Sequence, residues 1–199
     1  RPDIQGLRAV AVAAVVVFHL WPGALPGGYV GVDVFLVVSG FLITSHLLRR
    51  PPSSLVDVAR FWGRRVRRLL PASALVIAVS VVATALIAPE TLHAASGREA
   101  VASGLYVQNW YLAGTAGDYL AGDDAATALR HYWTLSVEEQ FYLVWPVLIG
   151  VAAWLARRWW PRRVTTVVGV AIGAVVVSSL AFSATLTARD PGLAYYVTP

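Results

Sequence analysis

Long apolar runs, separated by short arginine-rich or acidic stretches, organise this chain. A helix needs about 20 mostly apolar residues to cross roughly 30 Å of hydrocarbon. Five stretches meet that length, at about 7–25, 29–48, 69–88, 134–156 and 164–188. The pattern predicts an all-α fold, a polytopic transmembrane helix bundle with about five spans in a single membrane domain over 1–199. The first run has the basic start and short apolar middle of a signal peptide. No small-residue cleavage site follows it, however, and the next run begins within a few residues, so it is read as a span.

The arginines set the expected orientation. Seven lie between Arg49 and Arg68 and four lie in 157–163. Positively charged loops stay cytoplasmic, which places the amino terminus inside and the segment 89–133 outside. That outer segment carries Glu90, Glu99, Asp118, Asp123 and Asp124 against Arg98 and Arg130. The moderately apolar 101–113 would, as a further span, put Arg157, Arg158, Arg162 and Arg163 on the wrong face. Residues 98–113 are therefore expected as one helix lying at the outer surface or re-entering, followed by a glycine- and acid-rich loop over 114–124.

Composition sharpens this picture. Hydrophobic residues make up 57% of the 199 and charged residues 14%, against about 25% charged in ordinary soluble domains. There is no cysteine, hence no disulfide and no thiol chemistry, and no methionine, so the segment reads as part of a longer protein. All 16 cationic residues are arginine. The net charge of +5 does not argue for nucleic acid, because the arginines lie between apolar runs, where topology accounts for them.

Ionisable groups within spans mark candidate chemistry, since burying one in a bilayer costs roughly 3 kcal/mol or more. Arg8 and His19 share the first span, eleven residues apart. Eleven steps of about 100° close to within about 20° of three turns, so the two side chains share a face. An imidazole accepts a proton near neutral pH, which makes His19 the best general base here. The second span holds Asp33, Ser39 and His46. Asp33 is a candidate partner for His19 or a turn cap, and Ser39, Gly31 and Gly40 favour close helix packing. His46 is read as interfacial. The fourth span opens with Trp133 and brings in adjacent acids, Glu138 and Glu139. Glu138, Tyr142 and Trp145 fall on one face, with Glu139 about 100° away. Capping, with the acids in the positive first turns, is the alternative, but the dipole effect fades after the first turn; the functional reading has one of them facing a polar cavity and orienting His19 or a substrate. In the cytoplasmic loop, Arg64, Arg65 and Arg68 would cluster on a helix, and guanidinium forks suit phosphate oxygens or anionic lipid. No phosphate-cradling glycine loop, zinc-ligand spacing or nucleophile elbow is present.

Four blocks of sequence resemble acyltransferase family 3, the bacterial membrane O-acyltransferases of cell-surface glycans. They are RPDIQGLRAVAVAAVVVFH (1–19), GGYVGVDVFLVVSGFLIT (27–44), FWGRRVRRLLPA (61–72) and HYWTLSVEEQFYLVWP (131–146). The resemblance spans nearly the whole chain and implies about ten spans in total, of which this is the amino-terminal half. It also implies a multi-pass protein of the bacterial plasma membrane. Such a protein moves an acyl group, most simply acetyl, from cytosolic acyl-coenzyme A to a hydroxyl of an extracytoplasmic glycan. By motif, His19 matches the family's essential histidine and Arg8 its paired basic residue. Arg65 and Arg68 match the arginine pair, read as donor-binding. Glu138 and Glu139 fall in the acidic signature. Asp33, Ser39, Trp133 and Tyr142 are expected as structural or substrate-lining residues. Acyl-coenzyme A is expected as co-substrate, with no bound cofactor and no metal; the partners are the bilayer, the donor and the glycan. The rival readings are a transporter with a proton or solute path along the same charges, and a non-catalytic membrane scaffold.

Overall fold

In the computed structural model, residues 2–119 and 127–198 are described. The expected loop positions 120–124, with Asp123 and Asp124, lie outside them. The described residues are predominantly helical and contain no strand. Five helices are long and apolar enough to cross a membrane: Pro2–Leu20, Gly28–Arg49, Leu55–Ile87, Tyr132–Trp159 and Pro161–Arg189. The chain divides into two compact units, Arg1–Arg50 and Pro51–Pro199.

The first unit is a helical hairpin of α1 (Pro2–Leu20) and α2 (Gly31–Arg49). Pro22, Gly23, Pro26 and Gly27 prevent helix continuation and reverse the chain. Gly28 and Gly31 let the two backbones touch. A Cβ at Gly28 would strike the Ala14 carbonyl and Phe18, and one at Gly31 the Ala11 carbonyl and Val15. Small residues allow this approach where lipid offers no competing hydrophobic force. Ser39 is buried, whereas Gly40 has open space around it. Gly31→Val will overpack this contact at a cost of about 1–3 kcal/mol. The loss should appear as a lower melting temperature in detergent, with Gly40→Ala nearly silent.

The second unit is built on α3 (Leu55–Ile87) and α6 (Tyr132–Trp159). The α3 start is set by Ser54, whose hydroxyl accepts from the Asp57 N–H at 3.2 Å, while Asp57 Oδ2 accepts from the Ser53 hydroxyl at 2.8 Å. The helix then runs without interruption through Arg60–Arg68, so the expected cytoplasmic arginine loop is the first half of a 33-residue helix. At 1.5 Å per residue it reaches about 50 Å, well beyond the hydrocarbon thickness.

α6 packs antiparallel to α3. The Tyr132 hydroxyl donates to the Ser73 carbonyl at 3.0 Å, and Trp62 Nε1 donates to the Tyr142 carbonyl at 3.2 Å. Further along, a side chain at Gly150 would meet Pro52 at 3.4 Å. The apolar body of α6 therefore lies beside the arginine-bearing half of α3 rather than its apolar half. The Trp62 bond has a local cause. Pro146 sits inside α6 and has no N–H for the carbonyl four residues back, that of Tyr142. The Trp62 indole supplies the missing donor. Trp62→Phe should cost about 1–3 kcal/mol for the orphaned carbonyl. In a Pro146→Ala background, which restores the backbone donor, that cost should largely vanish in a thermal-unfolding double-mutant cycle.

α4 (His93–Gly104) lies against the far part of α3, where Ser96 Oγ donates to Thr84 Oγ1 at 3.5 Å. It does not continue into α5 (Gln108–Tyr119). The expected single helix over 98–113 is broken at Leu105–Val107, and 114–119 is helical rather than loop. The break is a paired C-terminal cap: Val107 N–H donates to the Ala102 carbonyl at 2.9 Å and Tyr106 N–H to the Ser103 carbonyl at 3.1 Å. Such a cap requires a left-handed residue, and Tyr106 takes that role at φ 55°. A non-glycine residue there costs about 1–2 kcal/mol. α7 (Val164–Arg189) returns along α6, and α8 (Pro191–Val197), capped by Asp190 Oδ1 on the Leu193 N–H at 2.9 Å, folds back.

Candidate active site

The chemistry-bearing residues fall into two groups, one in each unit. In the hairpin, Arg8 and His19 lie on one uninterrupted helix, as their spacing requires to share a face. The Arg8 guanidinium sits 4.7 Å from the centroid of the Phe35 ring, a cation–π contact that offsets part of its desolvation. His19 is exposed, with its ring edge-on to Phe18 at 5.3 Å between centroids. Its Nδ1 lies 2.8 Å from the Val15 carbonyl. A carbonyl can only accept, so this bond assigns the proton to Nδ1 and makes Nε2 the basic nitrogen. Asp33 is exposed in the first turn of α2 and forms no hydrogen bond or ion pair among the described residues, with His19 or otherwise. His46 lies near the other end of α2 and is exposed.

In the second unit, a compact ionic cluster sits between α3 and α6. Arg65 Nε donates to Glu139 Oε1 at 3.1 Å and Oε2 at 3.2 Å, and Arg65 Nη2 donates to Oε1 at 3.0 Å. Glu138 Oε1 lies 3.9 Å from the same Nη2 and accepts from the Tyr142 hydroxyl. The Arg65 guanidinium also covers the Tyr142 ring, 3.0 Å from its centroid. The Arg65 and Glu139 side chains are only 21% and 17% exposed. Among apolar helices this pairing is what makes the charges tolerable, since each offsets the other's desolvation.

This arrangement corrects the expected separation. The sequence pattern puts the acidic pair at the outer end of its span and Arg65 on the cytoplasmic side, whereas the antiparallel register brings all three to one level. Apolar stretches mark where spans lie but carry no information on how far one helix is shifted along another. Arg64, Arg67 and Arg68 remain exposed and form no ion pair among the described residues, while Arg65 Nη1 makes no hydrogen bond there. Arg65 is thus largely committed to Glu139, and Arg68 presents its guanidinium outward.

Trp133 is 8% exposed and packs against Tyr195 and Tyr196, at 5.1 and 5.6 Å between centroids. Tyr142 and Ser39 are both buried. An open groove beside Trp62, bounded by Leu143, Val147, Val151 and Val175, is apolar and offers no group to orient a reacting atom.

Some residues with a structural claim on the site are not announced by sequence pattern. Glu99, expected among the external acids, is fully buried, accepting from Gln108 Nε2 at 2.8 Å and Thr127 Oγ1 at 2.5 Å. Gln140, beside the acidic pair, bonds to the α4–α5 turn. Nothing in residue type signals either. Trp62 has a sequence signal, since Pro146 declares an unbonded carbonyl at Tyr142.

Comparison with known proteins agrees with this organisation. The family model described as "Acyltransferase domain", acyltransferase family 3, matches residues 1–197. The "Putative peptidoglycan O-acetyltransferase YrhL" of Bacillus subtilis is 36% identical over 99% of the chain, covering 30% of that relative. The "Peptidoglycan O-acetyltransferase OatA" of Listeria monocytogenes is also 36% identical over 99% of the chain, covering 31% of its own length. The "O-acetyltransferase OatA" of Staphylococcus aureus is 39% identical over 82% of the chain, covering 26% of that protein. The chain thus spans about a third or less of the curated relatives it matches. No solved structure matches. With the helices, the charged blocks and this near-complete match in agreement, the chain belongs to acyltransferase family 3.

Proposed function

We propose that this chain is the membrane acyltransferase portion of a protein that moves an acyl group, most simply acetyl, from cytosolic acyl-coenzyme A to a hydroxyl of a cell-wall glycan. The observation that carries the reading is the family match over residues 1–197, which takes in every charged motif residue, together with relatives named as peptidoglycan O-acetyltransferases. On the positive-inside rule we take the amino terminus and the α3 arginines as cytoplasmic; because Arg65 is level with Glu139, the start of α6 then lies on that side as well.

Each residue then has a chemical role. Arg68, exposed, and Arg65, through Nη1, receive the phosphates of the donor. His19 Nε2 takes the proton from the acceptor hydroxyl as its oxygen attacks the thioester carbon. The carbon–sulfur bond breaks, and the coenzyme leaves as a thiol once the thiolate has taken up that proton. In a two-step variant the imidazole carries the acyl group between donor and acceptor. Arg8 offsets charge on the His19 helix, and the Glu138–Glu139 pair holds Arg65.

The test is incubation of the complete protein in detergent with acetyl-coenzyme A radiolabelled in the acetyl group and with peptidoglycan fragments. Alkali-labile label on the glycan is the expected result. No covalent label, with uptake of the labelled compound into vesicles, would make the protein a transporter. Neither signal would leave a scaffold.

A further inference from the structure

Residues 106–110, from the α4–α5 break into the first turn of α5, grip one face of α6 through four hydrogen bonds. Gln140 Nε2 donates to the Tyr106 carbonyl and to Asn109 Oδ1, both at 2.8 Å, and Gln140 Oε1 accepts from Trp110 Nε1 at 3.2 Å. One helical turn earlier, Ser136 Oγ accepts from the Gln108 N–H at 3.3 Å. Both amide hydrogens and the amide oxygen of Gln140 are therefore used within residues 106–110. That segment is itself braced. Tyr106 holds its left-handed conformation at φ 55°, and buried Glu99 ties Gln108 to Thr127.

Gln140 directly follows Glu139, so their side chains leave α6 about 100° apart. Gln140 is held by that segment, while Glu139 is held by Arg65 of α3. A helix gripped on two faces cannot rotate without breaking one grip. We infer that Gln140 is a positioning residue whose amide fixes the rotation of α6 and so keeps Glu139 on Arg65. Its consequence for acyl transfer rests on the function proposed above; its effect on the ion pair does not.

The experiment is a double-mutant cycle in the complete protein between Gln140→Leu and Glu139→Gln, read both as melting temperature in detergent and as acetyl transfer. If Gln140 acts through the pair, Gln140→Leu already releases Glu139, so adding Glu139→Gln lowers the melting temperature no further. In transfer, either single change should cost on the order of 10- to 100-fold, mainly in KM for the donor, and the double change should equal the worse single one. Additive temperature losses and multiplicative activity losses would overturn the inference. Should Gln140→Leu not fold, Asn109 provides the same contrast. Asn109→Leu removes one acceptor of the Gln140 amide and should likewise leave Glu139→Gln without further effect on the melting temperature; a full Glu139→Gln loss in that background would overturn the inference. A parent protein without transfer but with a non-additive thermal cycle would sink the proposed function and leave this inference standing. An active parent with an additive cycle would do the reverse.

Discussion

Replacing His19 with alanine in the complete membrane protein will leave membrane insertion and melting temperature essentially unchanged and lower acyl transfer by about 10²- to 10⁴-fold. The two halves of that expectation have separate origins. His19 is exposed near the end of α1, where its bond to the Val15 carbonyl is local to its own helix. Surface substitutions of this kind usually change stability by within about 0.5 kcal/mol. The chemistry is another matter. Because Nδ1 is held by a carbonyl, Nε2 is the nitrogen left to take a proton. His46, at the opposite end of the hairpin from the Trp21–Gly27 turn, is the matched control. His46→Ala should keep near-parental transfer. Transfer by His19→Ala within a fewfold of the parent rate would remove the imidazole from the mechanism.

The second large effect is expected at the ion pair. Glu139→Ala will destabilise the protein by about 3 kcal/mol, because it leaves a mostly buried guanidinium facing only the more distant Glu138 carboxylate. Glu138→Ala will cost less, since its contact with Arg65 is 3.9 Å against 3.0 Å for Glu139. Replacing both members of the main pair, as Arg65→Met with Glu139→Leu, should recover most of the stability, as an apolar pair needs no desolvation compensation. Transfer should not recover with it, because the donor loses Arg65. Thermal unfolding of the parent and these three variants in detergent reads the stability side, and the labelled-acetyl assay reads the other. Full recovery of both in the double variant would reduce the cluster to a structural element.

How legible each feature is in the sequence follows from its physics. The membrane helices are readable because a bilayer demands some 20 apolar residues in a row, and runs of that length are rare outside membranes. Their limits are less so. The first half of α3, from Leu55 to Arg68, is too charged to look like a span, although Ser54 and Asp57 at its start are a helix-start signal in plain view. The face shared by Glu138 and Tyr142 follows from 3.6 residues per turn, and the two side chains do bond. Depth does not follow from periodicity. The meeting of Arg65 with Glu139 depends on how far α6 is shifted along α3, which Tyr132 on Ser73 and Trp62 on Tyr142 settle by contact. The break at Tyr106 is hidden because the left-handed cap residue is tyrosine, with the glycine two positions earlier at Gly104. The burial of Glu99 has no mark in the sequence, because it depends on Gln108 and Thr127, which belong to none of the charged motifs.

The measurement that goes most directly to acyl transfer uses a donor labelled twice, with carbon-14 in the acetyl group and tritium in the coenzyme. Sealed vesicles carrying the complete protein would receive this donor on the face bearing the α3 arginines and glycan fragments on the other. Carbon-14 in ester linkage to the glycan, with tritium retained on the donor side as free coenzyme, is the predicted result. Both labels crossing together, or carbon-14 crossing without an ester bond to glycan, would contradict it.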